Sequence, residues 1–198
     1  MGDERVERWL AALVDTPGLT ALSDPKEARR LHLEGALAAI PLLERGPVVD
    51  VGSGGGSPGL PLAAALPDLH FDLLESARKK CDFLCRWASE FENVSVVCAR
   101  AEQYARGPGR DTYATAVARA LAPPPVAAEW CLPLVAPGGR AILFVGPSAD
   151  EAAVATVAAE LAAEIEAVPS GFVLLHKTGP TPERFPRRPG MARKRPLA

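Results

Sequence analysis

The stretch Pro47-Val48-Val49-Asp50-Val51-Gly52-Ser53-Gly54-Gly55-Gly56-Ser57-Pro58-Gly59 constrains this chain more than any other. Its apolar start reads as a strand, its glycines as a tight turn and the residues from Gly59 as a helix start. Such a turn brings backbone N–H groups and a helix N-terminus up to a ligand, at positions where a Cβ would block the approach. Two registers compete. Gly54, Gly56 and Gly59 meet the dinucleotide pattern Gly-x-Gly-x-x-Gly, whereas counting from Gly52 puts Ser57 in the third glycine position. Asp50, Gly52, Gly54 and Gly56 meet Asp-x-Gly-x-Gly-x-Gly without adjustment. An acid ahead of the turn repels a pyrophosphate and suits a cationic ammonium.

That second register is similar to the first motif of the S-adenosylmethionine methyltransferases, so charge favours S-adenosylmethionine over a nicotinamide dinucleotide, with Asp50 toward the methionine ammonium. The next apolar run, His70-Phe71-Asp72-Leu73-Leu74-Glu75, ends on a carboxylate 23 residues after Gly52. This is near the spacing of about 20 for an acid that accepts ribose hydroxyls. Gly52 and Gly54 for close approach and Glu75 for the ribose form the expected cofactor site. The competing reading is a generic turn with a solvated strand-terminal acid.

At 198 residues the chain is long enough for one sizeable core. Aromatics are only 6% of the residues, so that core is built mainly from Ala, Leu and Val. Cys81, Cys85, Cys98 and Cys131 have no C-x-x-C spacing and read as buried reduced thiols. Met1-Gly2-Asp3-Glu4 lacks a signal peptide's basic and apolar regions, and no stretch reads as a membrane span. A cytoplasmic location is expected. The net charge of −2 divides into +6 on residues 184–198 and −8 on the rest. A basic tail on an acidic body localises affinity for polyanions, unless it is merely a solvated, disordered end.

Val6, Trp9, Leu10, Leu13 and Val14 define an amphipathic first helix. Asp24-Pro25-Lys26-Glu27 starts a second, with Asp24 as N-cap and Pro25 at N1. From Pro47 the pattern predicts strand 47–51, helix 59–66, strand 70–74, helix 77–90, strand 94–98, strand 114–118, helix 126–134, strand 140–145, helix 149–164 and a last strand at 172–175. This alternation predicts a doubly wound, parallel α/β sheet of Rossmann-like form. The expected organisation is an N-terminal helical appendage over 1–45, a cofactor-binding core over 46–180 and a basic tail over 181–198. Phe83, Trp87 and Phe91 form an aromatic stripe that either stacks bases or, the preferred reading, packs under the N-terminal helices. His32 and His176 have neither metal-ligand spacing nor a neighbouring nucleophile, and no metal is expected.

From about Asp24 onward the chain resembles the bacterial small-subunit (16S) rRNA guanine-N7 methyltransferases, the RsmG or GidB family. The resemblance is carried by Asp50 through Gly54 with Pro58-Gly59, Leu73-Leu74-Glu75-Ser76, Phe83-Leu84, Arg100-Ala101-Glu102, Arg119-Ala120, Cys131-Leu132-Pro133-Leu134 with Pro137-Gly138-Gly139, and the tail Phe185-Pro186-Arg187-Arg188-Pro189-Gly190 with Lys194 and Pro196-Leu197. It implies cofactor contacts at Gly52, Ser57, Ala101, Glu102 and Arg119. Backbone at Ala101-Glu102 could read an adenine edge, and Arg119 could bind a carboxylate or phosphate unless it pairs with a nearby acid. The chain departs from the family at Val14–Thr20, which lacks the aromatics and asparagines, at Gly35-Ala36 in place of Asp-Ser, and at Val145-Gly146 in place of Lys-Gly.

Guanine N7 carries an in-plane lone pair and needs no deprotonation, so transfer can rest on positioning and no residue is assigned as catalytic. Arg187, Arg188, Arg193, Lys194 and Arg195 are the candidates for phosphates of 16S rRNA, naked or within the small ribosomal subunit. The alternatives are a small-molecule S-adenosylmethionine-dependent methyltransferase, or a degenerate relative that binds cofactor or rRNA without turnover, favoured by the missing lysine at Val145.

Overall fold

The computed structural model describes residues 3–198. Helix α1 spans Glu4–Asp15, with Asp3 as N-cap accepting from Arg5 N. The second predicted helix is irregular. It starts at Asp24, whose carboxylate accepts from Lys26 N, runs through α2 (Pro25–Ala28), widens into a π-helical turn at Arg29–Glu34 and ends in α3 (Gly35–Leu37). The core follows as β1 (Val48–Val51), α4 (Gly59–Ala65), β2 (Phe71–Glu75), α5 (Arg78–Ala88), β3 (Val94–Cys98), α6 (Ala101–Tyr104), β4 (Tyr113–Arg119), α7 (Pro124–Cys131), β5 (Val135–Phe144), α8 (Glu151–Glu160), β6 (Ala163–Ala167), β7 (Phe172–Lys177) and α9 (Met191–Lys194).

The seven strands form one sheet in the order β3-β2-β1-β4-β5-β7-β6. The chain leaves β1 toward β2 and β3, then returns to pair β4 on the other side of β1, so the winding reverses between β1 and β4. In open α/β sheets such a reversal opens a crevice at the carboxyl ends of the strands. The predicted all-parallel sheet is corrected to a mixed one, because β7 runs antiparallel to both β5 and β6. Strand β6 lies where a helix was expected to continue to 164. Ala162 takes φ 53°, and Ala163-Glu164-Ile165-Glu166-Ala167 alternates with the period of a strand. Uniform alanine richness hid that change of period.

Apolar side chains cover both faces. Val49, Val51 and Leu74 pack with α7 and α8, while Leu60, Leu73 and Leu84 pack with α1. Phe83 and Phe91 are buried against Val6, Trp9, Leu10 and Leu13, with Trp87 alongside, so the aromatic stripe does pack under the N-terminal helix. All four cysteines are reduced, yet Cys85 and Cys98 are exposed, which corrects the expectation of four buried thiols. Cys85 lies on the outer side of α5, and β3 is the sheet's edge strand.

A buried cation fixes the far end of β7. Lys177 is fully buried, and its ammonium donates to Asp111 Oδ1 at 3.2 Å and Thr181 Oγ1 at 2.9 Å. Burial lowers the pKa of Lys177, and Asp111 opposes that shift. Removing one partner of such a pair leaves an uncompensated charge. Asp111→Ala is therefore expected to destabilise the fold by about 3 kcal/mol, and Lys177→Met by distinctly less, because it also removes the charge. Urea unfolding of both variants checks this order.

Candidate cofactor and substrate site

The turn after β1 is assembled by contacts from distant parts of the chain. Gly52 takes φ 73°, and a Cβ there would lie 2.3 Å from Leu121 Cδ1. Gly55 is equally hemmed in, since a Cβ would lie 2.2 Å from Leu13 Cδ1. The indole of Trp9 donates to Gly55 O at 2.8 Å. Helix α1 is thus part of the wall that shapes the turn.

Two cavities open on either side of Gly52. The first, about 210 Å³, is lined by Gly52, Ser76, Arg100, Ala101, Glu102 and Trp130, among others. The second, about 240 Å³, is lined by Gly52 to Gly55, Ser57, His32, Lys80 and Arg119, among others. Between them lies the buried carboxylate of Glu75. Its Oε2 accepts from Gly54 N at 3.0 Å, and its Oε1 accepts from Ser76 N and Ala77 N, each at 2.7 Å. Ser76 Oγ adds a long contact to Oε1 at 3.5 Å, so the acceptor position left for a hydroxyl is on Oε2, which takes only the Gly54 N–H.

Asp50 lies beneath the turn and lines neither cavity. It shares a face of β1 with Val48, toward α4, and its Oδ2 accepts from Gly59 N at 3.0 Å. Oδ1 is buried with no partner among the described residues. Burial raises the Asp50 pKa to about 6, against the opposing bond from Gly59 N and the charge of Arg119.

Arg119, at the end of β4, hydrogen-bonds only neutral groups. Nη1 donates to Leu31 O at 2.6 Å, and Nη2 donates to His32 Nδ1 at 2.9 Å and to Ser57 Oγ. Its guanidinium also lies over the Phe144 ring, 5.8 Å from the centroid. No carboxylate among the described residues forms a salt bridge with it, and burial lowers its pKa. The charge of Asp50 opposes that shift without a direct contact, and a partly desolvated cation with no salt bridge suits an anionic ligand. His32 is fixed as a neutral ring. Nδ1 must accept from Arg119, so Nε2–H donates to Thr20 Oγ1 at 2.9 Å. Burial, with Arg119 second, lowers the His32 pKa to about 4. Ala120, at φ 51°, turns the chain sharply after Arg119 and carries Leu121 over Gly52.

The basic tail is docked, contrary to a disordered end. Phe185 and Ala192 are buried, Gly190 N donates to Glu102 Oε1 at 2.9 Å, and α9 packs on Trp130 and Val126. Arg187 is drawn out of the phosphate candidates, because it forms a two-pronged pair with buried Glu129 at 2.6 and 2.5 Å. Glu129 raises the pKa of Arg187. Arg193 lines the first cavity, donates to Leu121 O at 3.1 Å and stacks on Trp130, while Arg188, Lys194 and Arg195 are exposed. Val145 lines neither cavity. It is half-buried on the main core, and its N–H bonds Gly171 O.

Sequence reasoning missed Lys80, Leu121, Trp130 and the chemical part of His32. The run Arg78-Lys79-Lys80 just after Glu75 was a usable signal for Lys80. Nothing local marked Leu121 or Trp130. Among the described residues, no group of three or more His, Cys, Asp or Glu could hold a metal, and no helix is long and apolar enough to cross a membrane.

Two outcomes test this geometry. Gly52→Val is expected to abolish binding of S-adenosylmethionine measured by calorimetry, since the turn can hold neither the φ nor the added volume. Asp50→Asn concerns pH. The folded protein holds the Asp50 proton more tightly than the unfolded chain, whose ordinary value is 3.8, so this contribution to stability is complete below about pH 4 and lost as pH rises through about 6. Relative to Asp50→Asn, the unaltered protein should lose thermal stability between pH 4 and pH 7. Melting curves for the two proteins across that range check the sign.

The description "rRNA small subunit methyltransferase G" (GidB) matches residues 5–173. The Ribosomal RNA small subunit methyltransferase G of Synechococcus elongatus is 39% identical, covering 90% of this chain and 82% of its own length. That of Thermotoga neapolitana is 38% identical, covering 98% and 91%. Among solved structures, the O-methyltransferase TomG from Streptomyces achromogenes, in complex with S-adenosylmethionine, superposes with a TM-score of 0.55 at 20% identity, over 90% of this chain and 92% of that one. That likeness speaks for the fold. A match over most of the chain, with relatives near 40% identity along nearly its whole length, makes this protein a member of the rRNA small subunit methyltransferase G family.

Proposed function

We propose that this protein transfers the methyl group of S-adenosylmethionine to N7 of a guanine in 16S rRNA, acting in the cytoplasm on the small ribosomal subunit or its RNA. The observation that carries this reading is the half-buried Arg119, which forms no salt bridge among the described residues, beside the glycine turn of a chain in this family. The residues fit the cofactor. Arg119, with Ser57 beneath it, would hold the methionine carboxylate in the second cavity. Glu75 would accept a ribose hydroxyl beside Gly52 and Gly54, and Ala101 and Glu102 would border the base in the first cavity. Asp50 would act from beneath the turn, through its charge and its hold on Gly59. Bound there, S-adenosylmethionine supplies an electrophilic methyl group.

Guanine N7 needs no general base, and the second cavity offers none. Both nitrogens of His32 are engaged, and its basicity is too low to hold a proton at neutral pH. The contribution of the chain is therefore positioning. Arg188, Arg193, Lys194 and Arg195 would meet RNA phosphates, with Arg187 anchoring the segment that carries them. The small-molecule alternative predicts no salt-sensitive RNA affinity.

Incubation with S-adenosylmethionine and either intact small subunits or deproteinised 16S rRNA, followed by mass-spectrometric mapping, is expected to reveal one modified guanine. No modified guanine with either substrate would reject the reading. Replacing Arg188, Arg193, Lys194 and Arg195 together by Gln should weaken RNA binding and flatten the salt dependence of log K by roughly 3, at about 0.7–0.9 per lost phosphate contact. Anisotropy titrations over a salt series check that slope.

A further inference from the structure

The mouth of the second cavity has two features that cofactor binding leaves unused. Leu31 is 47% exposed, and among the described residues only Val168 is another large apolar side chain so exposed. Leu31 sits in the π-helical turn Arg29–Glu34, a rare geometry that often marks functional sites. Its backbone is fixed to the site, with the carbonyl accepting from Arg119 Nη1 at 2.6 Å, while its side chain stands at the cavity rim near Leu13 and Leu19. Lys80 contributes to the same rim from α5. Arg78 pairs with Asp82 at 3.2 Å, but no salt bridge engages Lys80 among the described residues.

An apolar edge and an unpaired ammonium on one rim match the two chemistries of a nucleotide, a ring face and a phosphate. The major groove of an RNA helix is too deep and narrow for side chains to reach a base edge, so a guanine that presents N7 to an enclosed cavity must leave its stack. It then needs a new apolar neighbour. We infer that Leu31 and Lys80 clamp the target nucleotide at the mouth of the second cavity, Leu31 against a face of the base and Lys80 on its phosphate. This rests on the rRNA reading above. It also assigns the cation at the mouth to α5, whereas Val145, at the end of β5, lies outside both cavity walls.

The test compares Leu31→Ser, Leu31→Phe, Lys80→Gln and Lys80→Arg with the unaltered protein, using small subunits for methyl transfer and deproteinised 16S rRNA for binding. Leu31→Ser should slow single-turnover transfer at saturating cofactor by about tenfold, the scale of one lost aliphatic contact, and Leu31→Phe should keep most of the rate. Lys80→Gln should lower the salt slope of RNA binding by about 0.7–0.9, and Lys80→Arg should keep it. Melting temperature should stay unchanged in all four, and any change in cofactor affinity should be clearly smaller than the loss of transfer or of RNA binding. The clamp is overturned if Leu31→Ser and Lys80→Gln behave as the unaltered protein does, or if their losses track an equal loss of cofactor affinity. An unaltered protein that modifies no guanine overturns the rRNA reading and the clamp with it, whereas normal modification by every variant removes the clamp alone.

Discussion

The carboxylate of Glu75 is the contact on which the site depends. Three backbone N–H groups converge on it, one from the turn after β1 and two from the residues after β2. Neighbouring strands of a parallel sheet do not by themselves set the positions of the loops beyond them. A buried acid that accepts from both loops does, and charge-assisted bonds of this kind are about twice as strong as neutral ones. Together with Gly52 N and Ser53 N, which both donate to Leu74 O, that side chain holds the turn between the two cavities against the end of β2.

Around this fixed point the wall is built from four remote segments: Trp9 and Leu13 of α1, His32 of the π-helical turn, Leu121 after β4, and Gly190 with Arg193 of the tail. Each is held by a directional bond or a close apolar contact. The appendage and the tail therefore form one body with the core around the two cavities. Arg119 shows why the appendage matters chemically. Its hydrogen-bond partners include Leu31 O and the His32 ring, which align a half-buried cation without neutralising it.

Much of this was legible in the sequence because it is written locally. The strand and turn at Pro47–Gly59, the strand-terminal Glu75 and the period of α1 each specify their own structure within a dozen residues. The aromatic stripe at Phe83, Trp87 and Phe91 found its partner because two amphipathic faces had to meet. What stayed hidden depends on pairing across long separations. The antiparallel β6–β7 arm needed a change of period inside an alanine-rich run. Docking of the tail needed Glu129 and Glu102, acids 58 and 88 residues away, to take Arg187 and Gly190. Asp50 was singled out by motif as an acid facing the methionine ammonium, whereas its side chain points beneath the turn, as strand parity on β1 and the bond to Gly59 dictate.

The bond from Trp9 to Gly55 spans 46 residues, and that from Gly190 to Glu102 spans 88. A chain leaving the ribosome N-terminus first therefore makes α1 well before the surface that covers it. Until the turn after β1 and helix α5 have emerged, the apolar face of α1, with Trp9 at its centre, has no native partner. The first cavity lacks a wall until the tail arrives. Local elements form early here, but the ligand-binding surface is a late product of folding, so cofactor affinity reports on completion of the tertiary structure rather than on the secondary structure of the core.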